Sequence, residues 1–111
     1  MLGPKKIDKE WGHYTVLHEG KDYQVKELVI KPACCISMQR HNDRAELWYV
    51  IRGRGAFLCD GKLTLGEAGY VFHVGHNQWH QVINTSTTMD LVVVETWRGS
   101  KLSEDDIERL I

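Results

Sequence analysis

The chain has 111 residues, of which 42% are hydrophobic and 26% are charged, values typical of one compact globular domain. Its 14 Lys and Arg residues are interspersed with 15 Asp and Glu residues, which excludes a basic groove for nucleic acid and a polybasic membrane patch. Three cysteines are too few for a secreted disulfide framework, and no signal-peptide pattern opens the chain, so we expect a cytoplasmic protein.

Short runs with period-2 alternation, separated by turn residues, predict an all-β barrel or sandwich of eight strands. These runs cover residues 23–31, 34–39, 46–51, 56–59, 62–65, 70–74, 80–84 and 89–97. Between two of them, Asp60-Gly61 predicts a type I′ hairpin, which needs two residues of positive φ. Ser103 can cap a helix, and the acidic residues and apolar edge after it predict a short C-terminal helix over 103–110. We therefore expect one domain over 1–111, with an N-terminal arm (1–22), a barrel (23–97) and this helix.

Polar side chains cluster where the strand 34–39 ends and the strand 46–51 begins. Gln39, His41 and Asp43 share one face of the chain, and Glu46 opens the next strand where it can turn back towards His41. An imidazole and two carboxylates inside a barrel need a cation, because an unpaired buried charge is costly. The cluster predicts a metal site.

A second cluster lies in "GYVFHVGHNQWHQVIN", and the two together resemble the paired motifs of the cupin superfamily, whose fold is a jelly-roll or double-stranded β-helix barrel. The first motif is matched by His41, Asn42, Asp43, Glu46 and Gly53, and the second by Gly69, Gly75, Asn77, His80 and Asn84. Asn77 stands in a glycine position, which suits asparagine because it tolerates left-handed backbone. Fifteen residues separate Gly53 from Gly69, similar to the short spacing of compact bacterial cupins.

The closest likeness is to the cupin domain of type II mannose-6-phosphate isomerases. It extends over nearly the whole chain, including "WGHYTVL", "SMQRHNDRAELWYVIRG" and "SEDDIERL". Where that group has His-His-His-Arg-x-Glu-His-Trp, this chain has Asp43 in place of a metal-binding histidine. The resemblance implies one divalent metal, Mn, Fe, Zn or Ni, held by His41, Glu46 and His80 with Asp43 as a possible fourth ligand. We expect the nucleotidyltransferase domain of bifunctional relatives to be missing.

The resemblance also implies an activity, the aldose-ketose isomerisation of a phosphosugar in a homodimeric enzyme. A metal would stabilise the enediolate while a base moves a proton, and both Lys26 and a metal-activated water are candidates for that base. Lys26 could instead snorkel from a strand edge, and Arg44 could clamp the phosphate or lie on the surface. Gln39 and Trp48 are expected in the substrate pocket. An iron-dependent oxidative cupin and a non-catalytic sugar-binding or regulatory cupin are the alternatives.

Overall fold

The computed structural model of the protein describes residues 5–110, which form eleven β-strands and no helix. The strands are β1 (Lys5–Lys9), β2 (Gly12–Glu19), β3 (Tyr23–Ile30), β4 (Gln39–Arg40), β5 (Ala45–Arg52), β6 (Arg54–Cys59), β7 (Lys62–Glu67), β8 (Val71–Val74), β9 (His80–Asn84), β10 (Leu91–Arg98) and β11 (Glu108–Arg109). The predicted all-β fold is confirmed. Within the described range, no helix is long and apolar enough to cross a membrane.

The strands form two antiparallel sheets that face each other across the core. One sheet has the order β1-β2-β3-β10-β5-β8, and the other has the order β11-β4-β9-β6-β7. In the larger sheet β10 lies between β3 and β5, with Glu95 opposite Lys26 on one side and opposite Trp48 on the other. This register places the inward-facing side chains of Lys26, Glu95 and Trp48 next to one another on three neighbouring strands.

The hydrophobic core lies between the sheets and is built mainly from the inward-facing residues of the strands. Its buried members are Ile30, Ile36, Trp48, Val50, Phe57, Val82, Leu91 and Val93. Two predicted turns have the expected backbone. Asp60 and Gly61 have φ of 48° and 80° in the β6–β7 hairpin, and Asn77 has φ of 60° at its glycine position.

The predicted C-terminal helix over 103–110 is wrong. Ser103 does accept a hydrogen bond from the backbone N–H of Asp105, at 3.1 Å, but a turn rather than a helix follows. The chain then forms β11, which pairs with β4 through Glu108 and Arg109. Tertiary partners therefore outweigh the local helix signal, since β4 offers hydrogen bonds that a helix at this place could not use.

Two further boundaries differ from the sequence-based expectation. Part of the predicted N-terminal arm is regular sheet, because β1 pairs with β2 and β2 pairs with β3. The predicted strand 34–39 is mostly irregular, with a single bridge from Cys35 to Ile83 before the short β4. Ala33, just before it, has φ of 59°, and this left-handed residue interrupts the extended chain.

Candidate metal centre

Three polar side chains from different parts of the chain converge between the sheets. His41 follows β4, Glu46 lies in β5 and His80 begins β9. Their potential ligand atoms all lie within 4.8 Å of one another, and all three residues are buried. Glu46 Oε2 lies 3.0 Å from His41 Nε2 and 3.4 Å from His80 Nε2. Two imidazoles and one carboxylate that converge in this way form the donor set of a two-histidine, one-carboxylate metal site.

Backbone carbonyls orient both imidazole rings. His41 Nδ1 lies 2.7 Å from the carbonyl oxygen of Asp106, and His80 Nδ1 lies 2.9 Å from that of Gln78. Because a carbonyl only accepts, each Nδ1 carries the proton and donates, which leaves the lone pair of each neutral ring on Nε2. A hydrogen bond from the ring nitrogen that does not bind the metal is the usual way in which proteins orient a metal-binding histidine.

The Glu46 carboxylate is also held in one orientation. The Trp48 indole N–H donates to Oε1 at 3.0 Å, which leaves Oε2 directed at the two imidazoles. Burial raises the pKa of Glu46, but contacts with His41 and His80 and the charge of Arg44 outweigh it and hold the pKa well below its usual range. Glu46 therefore enters the centre as a carboxylate, the form that binds metal.

The Arg44 guanidinium contacts the same centre, at the Glu46 oxygen that Trp48 leaves free. Its Nη2 donates to His41 Nε2 at 3.0 Å, and its Nε lies 3.5 Å from Glu46 Oε2. The guanidinium also stacks 3.4 Å above the Trp97 ring. Arg44 is buried, so the prediction that it could lie on the surface is not what the structure shows.

The donor set fits a divalent cation. His80 Nε2 is buried and makes no hydrogen bond, although it lies within ion-pair distance of Glu46. A buried polar atom without a partner is costly, and a cation between the three side chains would satisfy it. His41, Glu46 and His80 are therefore the residues that would hold a metal ion.

Comparisons with known proteins identify the family and the fold of the chain. A family model described as "Mannose-6-phosphate isomerase C-terminal" matches residues 4–111. The chain belongs to this family. Among solved structures, a predicted oxalate decarboxylase from Thermotoga maritima superposes with a TM-score of 0.72 at 20% identity, covering 87% of this chain and 92% of that one. That likeness concerns the fold, and together the comparisons establish the chain as a cupin.

The curated relatives of this cupin are longer proteins. The alginate biosynthesis protein AlgA of Pseudomonas aeruginosa is 34% identical over 105 residues, and the mannose-1-phosphate guanylyltransferase of Escherichia coli is 31% identical over 105 residues. Each alignment covers 95% of this chain but 22% of the relative. The chain thus spans less than a quarter of the length of these relatives.

The structure does not bring Asp43 into the metal centre of this cupin. Its side chain is exposed, and only His41, Glu46 and His80 form a convergent group among the described residues. Its backbone N–H donates to the Asp106 carboxylate at 2.8 Å, which ties the loop to the C-terminal segment. The geometry therefore gives no support to Asp43 as a fourth ligand.

Gln39, Trp48 and Lys26 all lie near the centre but in different surroundings. Trp48 is buried beside His80, with ring centroids 5.4 Å apart. Gln39 is half-buried, and its amide donates to the Ser37 carbonyl at 3.2 Å. Lys26 is buried rather than snorkelling from a strand edge, and its Nζ donates to Glu104 at 2.5 Å.

Sequence reasoning missed two acidic residues next to the centre. Glu95 is buried, and burial, followed by the charge of Glu46, raises its pKa well above the usual range. It accepts a hydrogen bond from the Trp97 indole at 2.5 Å. Glu95 lies two residues from Val93 and two from Trp97, so it shares the inward face of the strand with them, and this pattern could have identified it from the sequence. Asp106 binds the backbone N–H groups of Asn42 and Asp43, and no local pattern indicates that contact.

A cavity of about 400 Å³ is lined by His80, one of the three residues of the candidate metal centre. Trp48, Phe57 and Phe72 provide its aromatic wall, with Phe57 and Phe72 stacked at 3.9 Å. Lys62 and Gln78 add polar groups to its lining. A volume of this size and a mixed lining are typical of sites for small organic molecules.

Proposed function

We propose that this cupin is a metal-dependent phosphosugar isomerase that interconverts mannose 6-phosphate and fructose 6-phosphate, or a close analogue of the pair. The observation that carries the proposal is the convergence of His41 Nε2, His80 Nε2 and Glu46 Oε2 beside a cavity of about 400 Å³. Membership of the mannose-6-phosphate isomerase C-terminal family supports the choice of substrate.

The chain's own residues have distinct tasks in this proposal. His41, His80 and Glu46 hold the cation, which when bound supplies a Lewis acid for the sugar oxygens. The Trp48 ring forms a flat wall beside His80 on which a sugar can stack. Arg44 places a fixed positive charge at the Glu46 carboxylate, next to the point where negative charge develops during proton transfer.

The surroundings of Lys26 suit an electrostatic role better than that of a base. Its ammonium donates to a carboxylate and lies over the rings of Tyr14 and Trp97 at 4.3 and 3.7 Å. Two aromatic faces and a carboxylate thus surround the Lys26 ammonium, and these contacts suit a group that attracts anions. We therefore assign Lys26 to anion binding.

We also propose that the protein is a cytoplasmic homodimer. Leu47, Tyr49 and Ile51 alternate on the outer face of β5 and are exposed, and Val71 lies opposite Tyr49 on the edge strand β8. A row of exposed apolar side chains across two paired strands suits a second copy of the chain.

The experiment is metal analysis of the purified protein combined with an assay of fructose 6-phosphate formation from mannose 6-phosphate. We expect about one equivalent of divalent metal and turnover that is lost with a chelator and restored by metal. His41→Ala and His80→Ala should each remove the bound metal while circular dichroism keeps its β signature, because neither residue belongs to the apolar core.

The two alternatives give different results in the same assays. Iron with substrate-dependent oxygen uptake and no ketose would indicate an oxidative cupin. Sugar binding without turnover in metal-loaded protein would indicate a non-catalytic cupin. Full metal retention in both histidine variants would contradict the ligand assignment itself.

A further inference from the structure

A second cavity, of about 100 Å³, is lined by residues of β3, β10 and the C-terminal segment and by Arg44. Four cationic side chains line it, against two acidic ones. The cations are Lys9, Lys26, Arg44 and Arg109, and the acids are Glu95 and Glu104. One water occupies about 30 Å³, so the space holds about three waters, the scale of a small oxyanion. We call this cavity the cationic recess.

Lys26 is a buried cation of the cationic recess, held in place by aromatic rings. It is 4% exposed, and its Nζ is positioned between the faces of Tyr14 and Trp97, at 4.3 and 3.7 Å from their centroids. Buried ammonium groups require an anion nearby. Glu95 faces Lys26 across the strand pair, but among the described residues the ion pair of Lys26 is with Glu104.

The anion that Lys26 does contact comes from the surface. Glu104 Oε1 lies 2.5 Å from Lys26 Nζ, yet the Glu104 side chain remains 57% exposed. Glu104 belongs to the turn that precedes β11, so side-chain rotation alone can withdraw its carboxylate to solvent. A buried cation is thus paired with an anion that water can reach and that another anion can replace.

We propose that the cationic recess is a phosphate-binding subsite, and that the Glu104 carboxylate holds the place of the phosphate group when no ligand is bound. With Glu104 withdrawn, four cations face one buried acid, a balance that favours a phosphate dianion over a single carboxylate. Arg44 connects the two sites, since it lines the recess and also contacts His41 and Glu46.

The identity of the ligand as a sugar phosphate rests on the proposed function, whereas the existence of the subsite does not. A phosphate in the recess lies against Arg44, whose other contacts are metal ligands. Arg44 would thereby connect phosphate binding in the recess to the metal centre, through its contacts with His41 and Glu46.

The test is calorimetric titration of the full chain with inorganic phosphate in the presence of a chelator, so that no metal can bind the anion. If the Lys26–Glu104 pair forms about nine-tenths of the time, Glu104→Gln should tighten phosphate binding by about tenfold, because an internal competitor is removed. Glu108→Gln is the matched control. It removes the same charge from the same segment, but Glu108 pairs with Arg40 at 2.9 Å and not with Lys26.

Equal phosphate affinities in Glu104→Gln and Glu108→Gln would overturn the subsite. Lys26→Met should remove phosphate binding, and Lys26→Arg should retain it. Because Glu104 is a surface residue, the comparison of the two glutamine variants stands even if Lys26→Met fails to fold. Mannose 6-phosphate should bind more tightly than inorganic phosphate, and equal affinity would overturn a sugar phosphate as the ligand.

These outcomes separate the two proposals. Tighter phosphate binding by Glu104→Gln in a protein without isomerase turnover would support the subsite and contradict the proposed function. Turnover of mannose 6-phosphate, with no difference in phosphate affinity between the two glutamine variants, would support the proposed function and contradict the subsite.

Discussion

Position 43 carries an aspartate where the family pattern has a metal-binding histidine, and in this protein the side chain is exposed to solvent. The backbone of the same residue is tied to Asp106, which fixes the loop without using the side chain. We therefore expect His41, Glu46 and His80 to be the three protein ligands of a bound metal. Open positions on the metal would then be available to substrate.

We expect Asp43→Ala to retain one equivalent of metal and to leave the preference between Mn²⁺ and Zn²⁺ unchanged. The physical reason is that an exposed carboxylate outside the convergent group adds no charge to the site. Competition titrations of wild type and variant would measure this, with Glu46→Gln as a control that should lose metal. A shift of selectivity towards Zn²⁺ in Asp43→His would instead show that this position reaches the ion.

The C-terminal segment is the element that connects the first motif to the rest of the site. Asp106 accepts from the backbone N–H groups of Asn42 and Asp43 at 2.9 and 2.8 Å, and its carbonyl accepts from His41. Ser103 contributes a carbonyl that accepts from Arg44 at 3.2 Å. One irregular segment thus orients a metal ligand, its neighbouring loop and the guanidinium beside it.

Asp106→Ala should destabilise the fold by about 1 kcal/mol, because two charge-assisted hydrogen bonds are lost at a site screened by solvent. Burial raises the pKa of Asp106, but the two backbone hydrogen bonds, followed by Arg44 and His41, lower it overall. A lowered folded-state pKa contributes stability above the unfolded value near 3.8, and this stability is lost as pH falls through the folded value. The difference in unfolding free energy between Asp106→Ala and wild type should therefore be at its full value at pH 7 and should shrink below pH 3.8.

Thermal unfolding of wild type and variant across this pH range measures the effect, at about 4–8 °C per kcal/mol for a small domain. Asp105→Ala is the matched control, since the exposed neighbouring carboxylate does not bind the loop. Equal melting temperatures of Asp106→Ala and wild type at pH 7 would show that the segment does not hold the loop.

At the scale of the whole molecule, the larger sheet has an apolar row on the outer face of β5, next to its edge strand β8. Tyr49 is 44% exposed in β5, with Val71 opposite it in β8 and Val94 opposite it in β10. The neighbouring Leu47 and Ile51 extend the row. Exposing such a row to water is unfavourable, and pairing it with a second copy would bury it on both chains.

Tyr49→Glu should convert a dimer to a monomer, because it places a charge in the centre of the buried row. Light scattering after size-exclusion chromatography gives the mass directly. Leu63→Glu serves as the control, since Leu63 is 56% exposed but lies in β7 of the other sheet. A monomeric wild type, or dissociation of both variants alike, would contradict the proposed dimer.

The sequence by itself determined the all-β fold and the Asp60-Gly61 hairpin, because period-2 alternation and positive φ are local properties of the chain. The grouping of His41, Glu46 and His80 was implied by the resemblance of the sequence to the cupin motifs. Only the tertiary structure decided the conformation of residues 103–110, where pairing with β4 outweighed a local helix signal. It also decided that the Asp43 side chain is exposed. It also brought together Lys26, Glu95 and Glu104, because strand register and a distant turn, rather than neighbouring positions in the chain, place those charges side by side.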